Sequence, residues 1–171
     1  MQQDIYNEYS RFDNSNQIHD TAIIYPNVTM GKNNTIGAYS VIGSNGEIRG
    51  KKQNEFSGLV VIGDNNVISE MVTIQRPFKK EHKTVIGSDN IIMAHSHIGH
   101  NVVINDNCEI CTGVIIGGFA TINNGAKVKL GVTVRNRIEV GENTLIGLGS
   151  AVVKNTEANS IVYGNPAKSI K

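Results

Sequence analysis

The chain has 171 residues, a formal charge of +1, 39% hydrophobic residues, only 5% aromatics, no Trp and 18 Gly. That length suits one domain, with a core of aliphatic side chains held between many tight turns. A charge so near zero excludes a general nucleic-acid or membrane-surface binder, and no run of about 18 apolar residues offers a membrane span.

Residues 1–17, "MQQDIYNEYSRFDNSNQ", lack a basic region followed by an apolar run. This predicts a cytoplasmic protein whose N-terminus is a short extension or cap. From residue 18 an aliphatic side chain recurs every sixth position, at Ile18, Ile24, Met30, Ile36, Ile42 and Ile48, then at Ile62, Ile68 and Ile74. From Ile86 to Val152 the same clock runs through twelve aliphatic residues without a break. At the bulk hydrophobic frequency, twelve successive hits have a probability on the order of 10⁻⁵. A Gly often follows the aliphatic residue, as at 37, 63, 87, 99, 117 and 147, and is expected to supply φ > 0 at a corner. The residue four after the aliphatic is usually small, as at Ser96, Cys108, Ala120 and Ser150. Strands alternate with period two and helices with 3.6, so a strict six means short strands joined by regular turns, stacked as a solenoid.

The register breaks twice, and breaks in a solenoid map to loops on a binding face. "RGKKQNEFSG" (49–58) carries Arg49, Lys51 and Lys52, and "RPFKKEHKT" (76–84) puts Lys80 where an aliphatic belongs. Together they hold seven of the 16 Lys and Arg, either as solvated loops or as a cationic rim for a phosphate-bearing substrate. "AHSHIGHNVVI" (94–104) holds His95, His97 and His100, three of the five histidines. Since Ile98 points inward, His97 and His100 point outward, His100 near a corner. They could be a metal site, polar surface, or a general base with its neighbours, a role that imidazole suits near pH 7. Cys108 falls in a small core slot and Cys111 at a corner, which reads as structural thiols.

The pattern "I-G-x-x-[small]-x" resembles the hexapeptide-repeat acyltransferases over residues 18–171. The resemblance implies an all-β, left-handed parallel β-helix (hexapeptide-repeat solenoid) of about seven coils over 18–160, three hexapeptides per coil. General crossover rules predict the opposite hand, so the handedness rests on the resemblance alone. "VIGDNNVISEMVTIQRP" (61–77) and "TVIGSDNIIMAHSHIGHNVVINDNCEI" (84–110) are similar to the UDP-N-acetylglucosamine O-acyltransferases of lipid A synthesis. That likeness implies that His100 is the general base, that His97 lines the substrate site, and that the N–H of Gly118, one coil on, is the oxyanion donor. Asn101 stands where that family has an Asp, Phe119 and Gln75 where it has His, and its long helical C-terminal region has no counterpart here. Gln75, Arg76 and Lys52 are the further substrate-binding candidates. The ending "IGLGSAVVKNTEANSIVYGNPAKSIK" (146–171) is instead similar to coenzyme A-dependent sugar and serine acetyltransferases. By that resemblance Gly164, Asn165, Pro166, Ala167 and Lys168, in a tail at 161–171, lie beside coenzyme A, with Lys168 and Lys171 near its phosphates.

These likenesses imply a homotrimer with its site in the groove between subunits. They also imply acetyl transfer from acetyl-CoA to an amine or hydroxyl of a sugar carried on a nucleotide, without an acyl-enzyme or a metal. An acyl-carrier-protein-dependent O-acyltransferase is one alternative. A non-catalytic solenoid or a zinc carbonic anhydrase of the same fold is another.

Overall fold

The computed structural model describes residues 9–170. Three parallel sheets form the sides of a prism. The first runs from Gln17–Ile18 to Ile161–Gly164, the second from Ile23–Ile24 to Ala151–Val152, and the third from Val28–Met30 to Glu139–Val140. Most strands are two residues long, because the aliphatic residue and its outward neighbour are all that a hexapeptide commits to a side before it turns. Most coils lie on the one below with a step of 18 residues, as in Ile92↔Ile110 and Ile98↔Ile116. The periodic isoleucines stack into one column of core, and those from Ile86 through Ile122 are at most 1% exposed. Shortening one of them leaves a void that the stacked coils cannot collapse into. Ile110→Ala is therefore expected to cost about 2–5 kcal/mol of unfolding free energy, measured by urea denaturation.

Two early coils are longer than 18 residues. Thr35 pairs with Val67 and Val67 with Ile91, steps of 32 and 24 residues. Both excess segments leave at the same edge, between a strand of the second sheet and one of the third: Val41–Asn45 to Leu59–Ile62, and Thr73–Arg76 to Lys83–Ile86. Ile48 thus lies within an excursion and is only half-buried, so it is no repeat slot, contrary to its spacing. The seventh coil continues instead to Val162, which is 4% exposed and pairs in register with Ile146. The ladder therefore passes residue 160 by one rung, and Ala167–Ser169 folds back antiparallel on Ile161–Gly164.

Of the glycines after the aliphatic residues, Gly43 has the expected positive φ (88°), but most are required for another reason. None of Gly37, Gly63, Gly87, Gly99, Gly117 or Gly147 has a positive φ. A Cβ on Gly37 would lie 2.5 Å from the backbone of Ser69 and Glu70, and one on Gly99 would lie 2.8 Å from the nitrogen of Gly118. These glycines let successive coils approach. The left-handed turn falls two residues later, on Asn33, Asn65, Asn101 and their counterparts. In the small slot, buried Asn34, Asn66 and Asn90 replace aliphatics. Each passes a side-chain oxygen to the backbone N–H of the coil above, ending at Cys108.

The N-terminal segment caps the prism. After a short 3-10 turn at Tyr9–Arg11, Phe12 is buried in the end of the core, while Tyr9 donates to the Ala22 carbonyl and Arg11 to that of Tyr25 (2.7 Å). Residues 1–8 lie outside the described residues, and no described helix is long and apolar enough to cross a membrane.

Candidate functional site

The edge from which both excursions leave also carries His100. Ile98 is inward and Gly99 abuts the coil above, so the chain turns at His100 and Asn101, and Asn101 takes the left-handed conformation (φ 62°) that Asn accepts at small cost. The His100 Nδ1 lies 2.9 Å from Asn101 Oδ1. With an amide oxygen as acceptor, Nδ1 carries the hydrogen and Nε2 the lone pair. Asn101 is itself held: its N–H donates to Thr84 Oγ1 (2.9 Å), whose hydroxyl donates to the Gln75 carbonyl (2.7 Å). Both ends of the second excursion thus fix the residue that orients the imidazole.

One coil up, Gly118 faces the ring. A Cβ there would stand 2.9 Å from His100 Cε1 and 3.0 Å from Nε2. Among the described residues no acceptor takes the Gly118 N–H, whereas the neighbouring Gly117 and Phe119 N–H groups bond to Val134 and His100 carbonyls. An imidazole lone pair and a free backbone donor therefore stand side by side, the pairing that suits deprotonation of a nucleophile and stabilisation of the oxyanion it creates.

Phe119 stands perpendicular to the His100 ring, the centroids 5.2 Å apart, and also meets His82 at 6.4 Å. The Arg137 guanidinium lies 4.4 Å over its face. Phe119 and Arg137 both adopt positive φ, which is costly for a bulky side chain and marks this edge as strained. Arg135, Arg137 and Lys154 continue the edge upward, exposed and without an ion pair among the described residues. Spacing did not single out Thr84, His82, Arg135, Arg137 or Lys154. The only signal for the last three was their place on the six-residue clock above His100.

His97 sits one strand earlier on the second sheet, its Nδ1 2.7 Å from Thr73 Oγ1. Burial pushes its imidazole below the ordinary 6.5, partly countered by the nearby Glu47 carboxylate. On acidification the unfolded chain binds this proton first. Stability contributed by neutral His97 is full above about pH 6.5 and is lost as pH falls through the lower folded value. His97→Asn is expected to flatten the fall in unfolding free energy between about pH 7 and pH 5, as measured by urea titration at each pH.

The remaining candidates are dispersed. Arg76 donates from Nε to Asn45 Oδ1 (2.6 Å), which ties the two excursions together. Gln75 is buried and 6% exposed, so its side chain presents little surface to a substrate. Lys52 is exposed at the start of the 3-10 turn Gln53–Glu55. His95 is exposed on the edge between the first and second sheets, away from His100. Pro166, Ala167 and Lys168 line one wall of a cleft of about 360 Å³, and Val153 and Lys154 line the other. Asn165 and Pro166, joined by a cis bond, form the turn of the tail hairpin, and Gly164, which ends its first strand, donates its N–H to Ser150 Oγ (3.1 Å). Lys171 lies outside the described residues.

Both thiols are buried and unpaired. Burial pushes Cys108 up to about 11, and burial with the Glu109 carboxylate also raises Cys111, so neither thiol is poised as a thiolate. Among the described residues, no group of three His, Cys, Asp or Glu could hold a metal ion.

The fold is that of a hexapeptide-repeat β-helix. Residues 83–118, which include His97, His100 and Gly118, match the family described as "Bacterial transferase hexapeptide (six repeats)". Within that class the likeness is to UDP-N-acetylglucosamine O-acyltransferases. The acyl-[acyl-carrier-protein]–UDP-N-acetylglucosamine O-acyltransferase of Pseudomonas paraeruginosa is 37% identical over 110 residues, 64% of this chain and 43% of that protein. Its counterpart in Stutzerimonas stutzeri is 33% identical over 140 residues, covering 81% and 54%. The chain thus spans about half the length of the curated relatives it matches. The solved UDP-N-acetylglucosamine acyltransferase of Bacteroides fragilis superposes with a TM-score of 0.86 at 27% identity, over 91% of this chain and 60% of that one. The coils wind left-handed, as in these neighbours. PerB of Caulobacter crescentus, solved with coenzyme A and GDP-perosamine, shares the fold alone, with a TM-score of 0.57 at 18% identity over 91% of this chain and 57% of that one.

Proposed function

We propose that the protein is an acyltransferase that moves an acetyl or other short acyl group from a thioester donor to an amine or hydroxyl of a sugar carried on a nucleotide. The observation that carries this reading is the His100 imidazole, held through Nδ1 by Asn101, beside the unoccupied N–H of Gly118. Nε2 takes the proton of the acceptor as it attacks the thioester carbonyl. The Gly118 N–H stabilises the tetrahedral oxyanion, and collapse expels the thiolate, which recovers a proton from the imidazolium. No acyl-enzyme is needed. Asn101 orients the ring but carries no charge, so it stabilises the imidazolium less than a carboxylate does.

Acetyl-CoA is the proposed donor. The edge above His100 carries Arg135, Arg137 and Lys154, and the cleft bearing Lys154 and Lys168 lies three coils up, about 14 Å at ordinary strand spacing. An extended pantetheine arm spans that distance, which brings the phosphates to the lysines and the thioester to His100. His97 and Arg76, with the excursion lysines, are the acceptor side of this reading. The activity for which the 37% identical relatives are named supports acyl carrier protein as the alternative donor. A homotrimer completes the proposal, supported by exposed Val67, Ile91, Ile23 and Ile115 on the first and second faces and Leu130 and Leu148 on the edge between them.

The donor is tested by thermal stabilisation with acetyl-CoA, free coenzyme A and an acylated carrier protein, since a ligand that binds the folded chain raises its apparent stability by RT ln(1 + [L]/Kd). A rise in Tm with both coenzyme A forms supports the proposed donor. A rise with the carrier protein alone moves the assignment to the alternative, and no rise with any of the three removes the donor reading.

A further inference from the structure

The chain at Asn45–Ile48, where it leaves the second sheet, passes directly against His100. A Cβ on Gly46 would lie 2.9 Å from His100 Cβ, 3.0 Å from Cδ2 and 3.1 Å from Cγ. Gly118 closes on the opposite end of the ring, at Cε1 and Nε2. The imidazole is therefore gripped between two backbones, one a coil above and one from a segment that is not part of the repeat. Gly43 and Gly50 have positive φ, but Gly46 does not, so its backbone accepts an alanine, and the three atoms nearest to an added Cβ all belong to His100.

The segment that bears Gly46 is tied down along its length. The Gly46 N–H donates to the Arg76 carbonyl (3.2 Å), and Arg76 Nε donates to Asn45 Oδ1 (2.6 Å). Asn45 Nδ2 holds the Gln53 carbonyl (2.8 Å). Further out, Phe56 packs edge-on to Phe78 at 5.5 Å, Lys51 Nζ sits 4.2 Å over the Phe78 ring, and the Ser57 N–H donates to the Phe78 carbonyl (3.0 Å). Phe56 is buried, which is uncommon in a solvated loop. The basic residues that read as a rim are thus also the skin of an ordered strap.

We propose that residues 45–58 act as a positioning strap for the candidate base, with Gly46 as the positioning residue that sets the His100 ring against Gly118 and Asn101. The strap anchors on Arg76 and Phe78 of the second excursion, so both excursions act on one imidazole. The proposal deepens the transferase reading and rests on it for the consequence in rate, but not for the position of the ring.

The test follows the imidazole carbon-bound protons by NMR across a pH titration, with the His100 signal assigned by its loss in His100→Ala. In Gly46→Ala the His100 signal should move, while those of His19 and His95, remote from the strap, stay in place. With the ring displaced by about 1 Å, kcat for acyl transfer should fall about 10²-fold with KM for either substrate unchanged. If Gly46→Ala does not fold, Phe78→Leu takes its place, because it loosens the anchor on which the strap packs and should move the same signal in the same direction. An unchanged His100 signal in the folded variant overturns the proposal. Absence of any acyl transfer by the unaltered protein removes only the rate arm and leaves the NMR arm to decide.

Discussion

Replacing His100 with alanine is expected to lower the rate of acyl transfer about 10²–10⁴-fold, the contribution of a positioned general base. The fold should survive. His100 is half-buried on an edge and is not one of the buried core residues, so the loss should appear in kcat with little change in the melting temperature. Donor affinity should also persist, because the cleft at Lys154 and Lys168 lies three coils away. His100→Gln is the more informative partner, since an amide keeps hydrogen bonding to Asn101 yet cannot take a proton. Equal losses in both variants assign the effect to proton transfer rather than to shape. Steady-state rates at saturating donor and acceptor read this directly.

Gly118→Ala is the second large effect and acts from the other side of the same contact. The added methyl would lie 2.9 Å from Cε1, 3.0 Å from Nε2 and 3.1 Å from the His100 carbonyl oxygen. The ring can swing, but the carbonyl belongs to the coil, so the methyl displaces both the base and the donor N–H. A loss of about 10²–10³-fold in kcat is expected, as when one oxyanion-hole donor is removed. The two residues act as a unit, so the double variant His100→Ala, Gly118→Ala should be little slower than the worse single one. Independent, multiplying losses would mean that Gly118 matters for packing alone.

The core was largely legible because a six-residue period over twelve hexapeptides has one physical solution, a stack of short strands with inward aliphatics. The pairing of His100 with Gly118 was implied by the family resemblance and not by the period, which does not say how many hexapeptides make a coil; in the structure 18 residues make one coil at this point. What periodicity could not show was where the chain leaves the ladder. Ile48 kept time with the clock although the strand had already ended at Asn45, and Val162 fell off it because residues 153–160 take an irregular path to the last rung. Apart from Gly43, whose φ is positive as expected, these glycines serve the close stacking of coils, a contact between residues a whole coil apart and invisible to a local rule. Gly46, Thr84 and Glu47 reach the histidines through excursions whose return path has no period, so only coordinates could bring them to the site.

The most direct test of the account is to incubate the protein with acetyl-CoA and UDP-N-acetylglucosamine, and in parallel with an acylated carrier protein, and to examine the sugar nucleotide by mass spectrometry. The account predicts an acylated sugar nucleotide from the unaltered protein and none, within the same time, from His100→Ala. Acylation that proceeds equally in both would contradict His100 as the base. An unmodified nucleotide with either donor, in a protein that binds coenzyme A and UDP-N-acetylglucosamine, would contradict transfer to this acceptor.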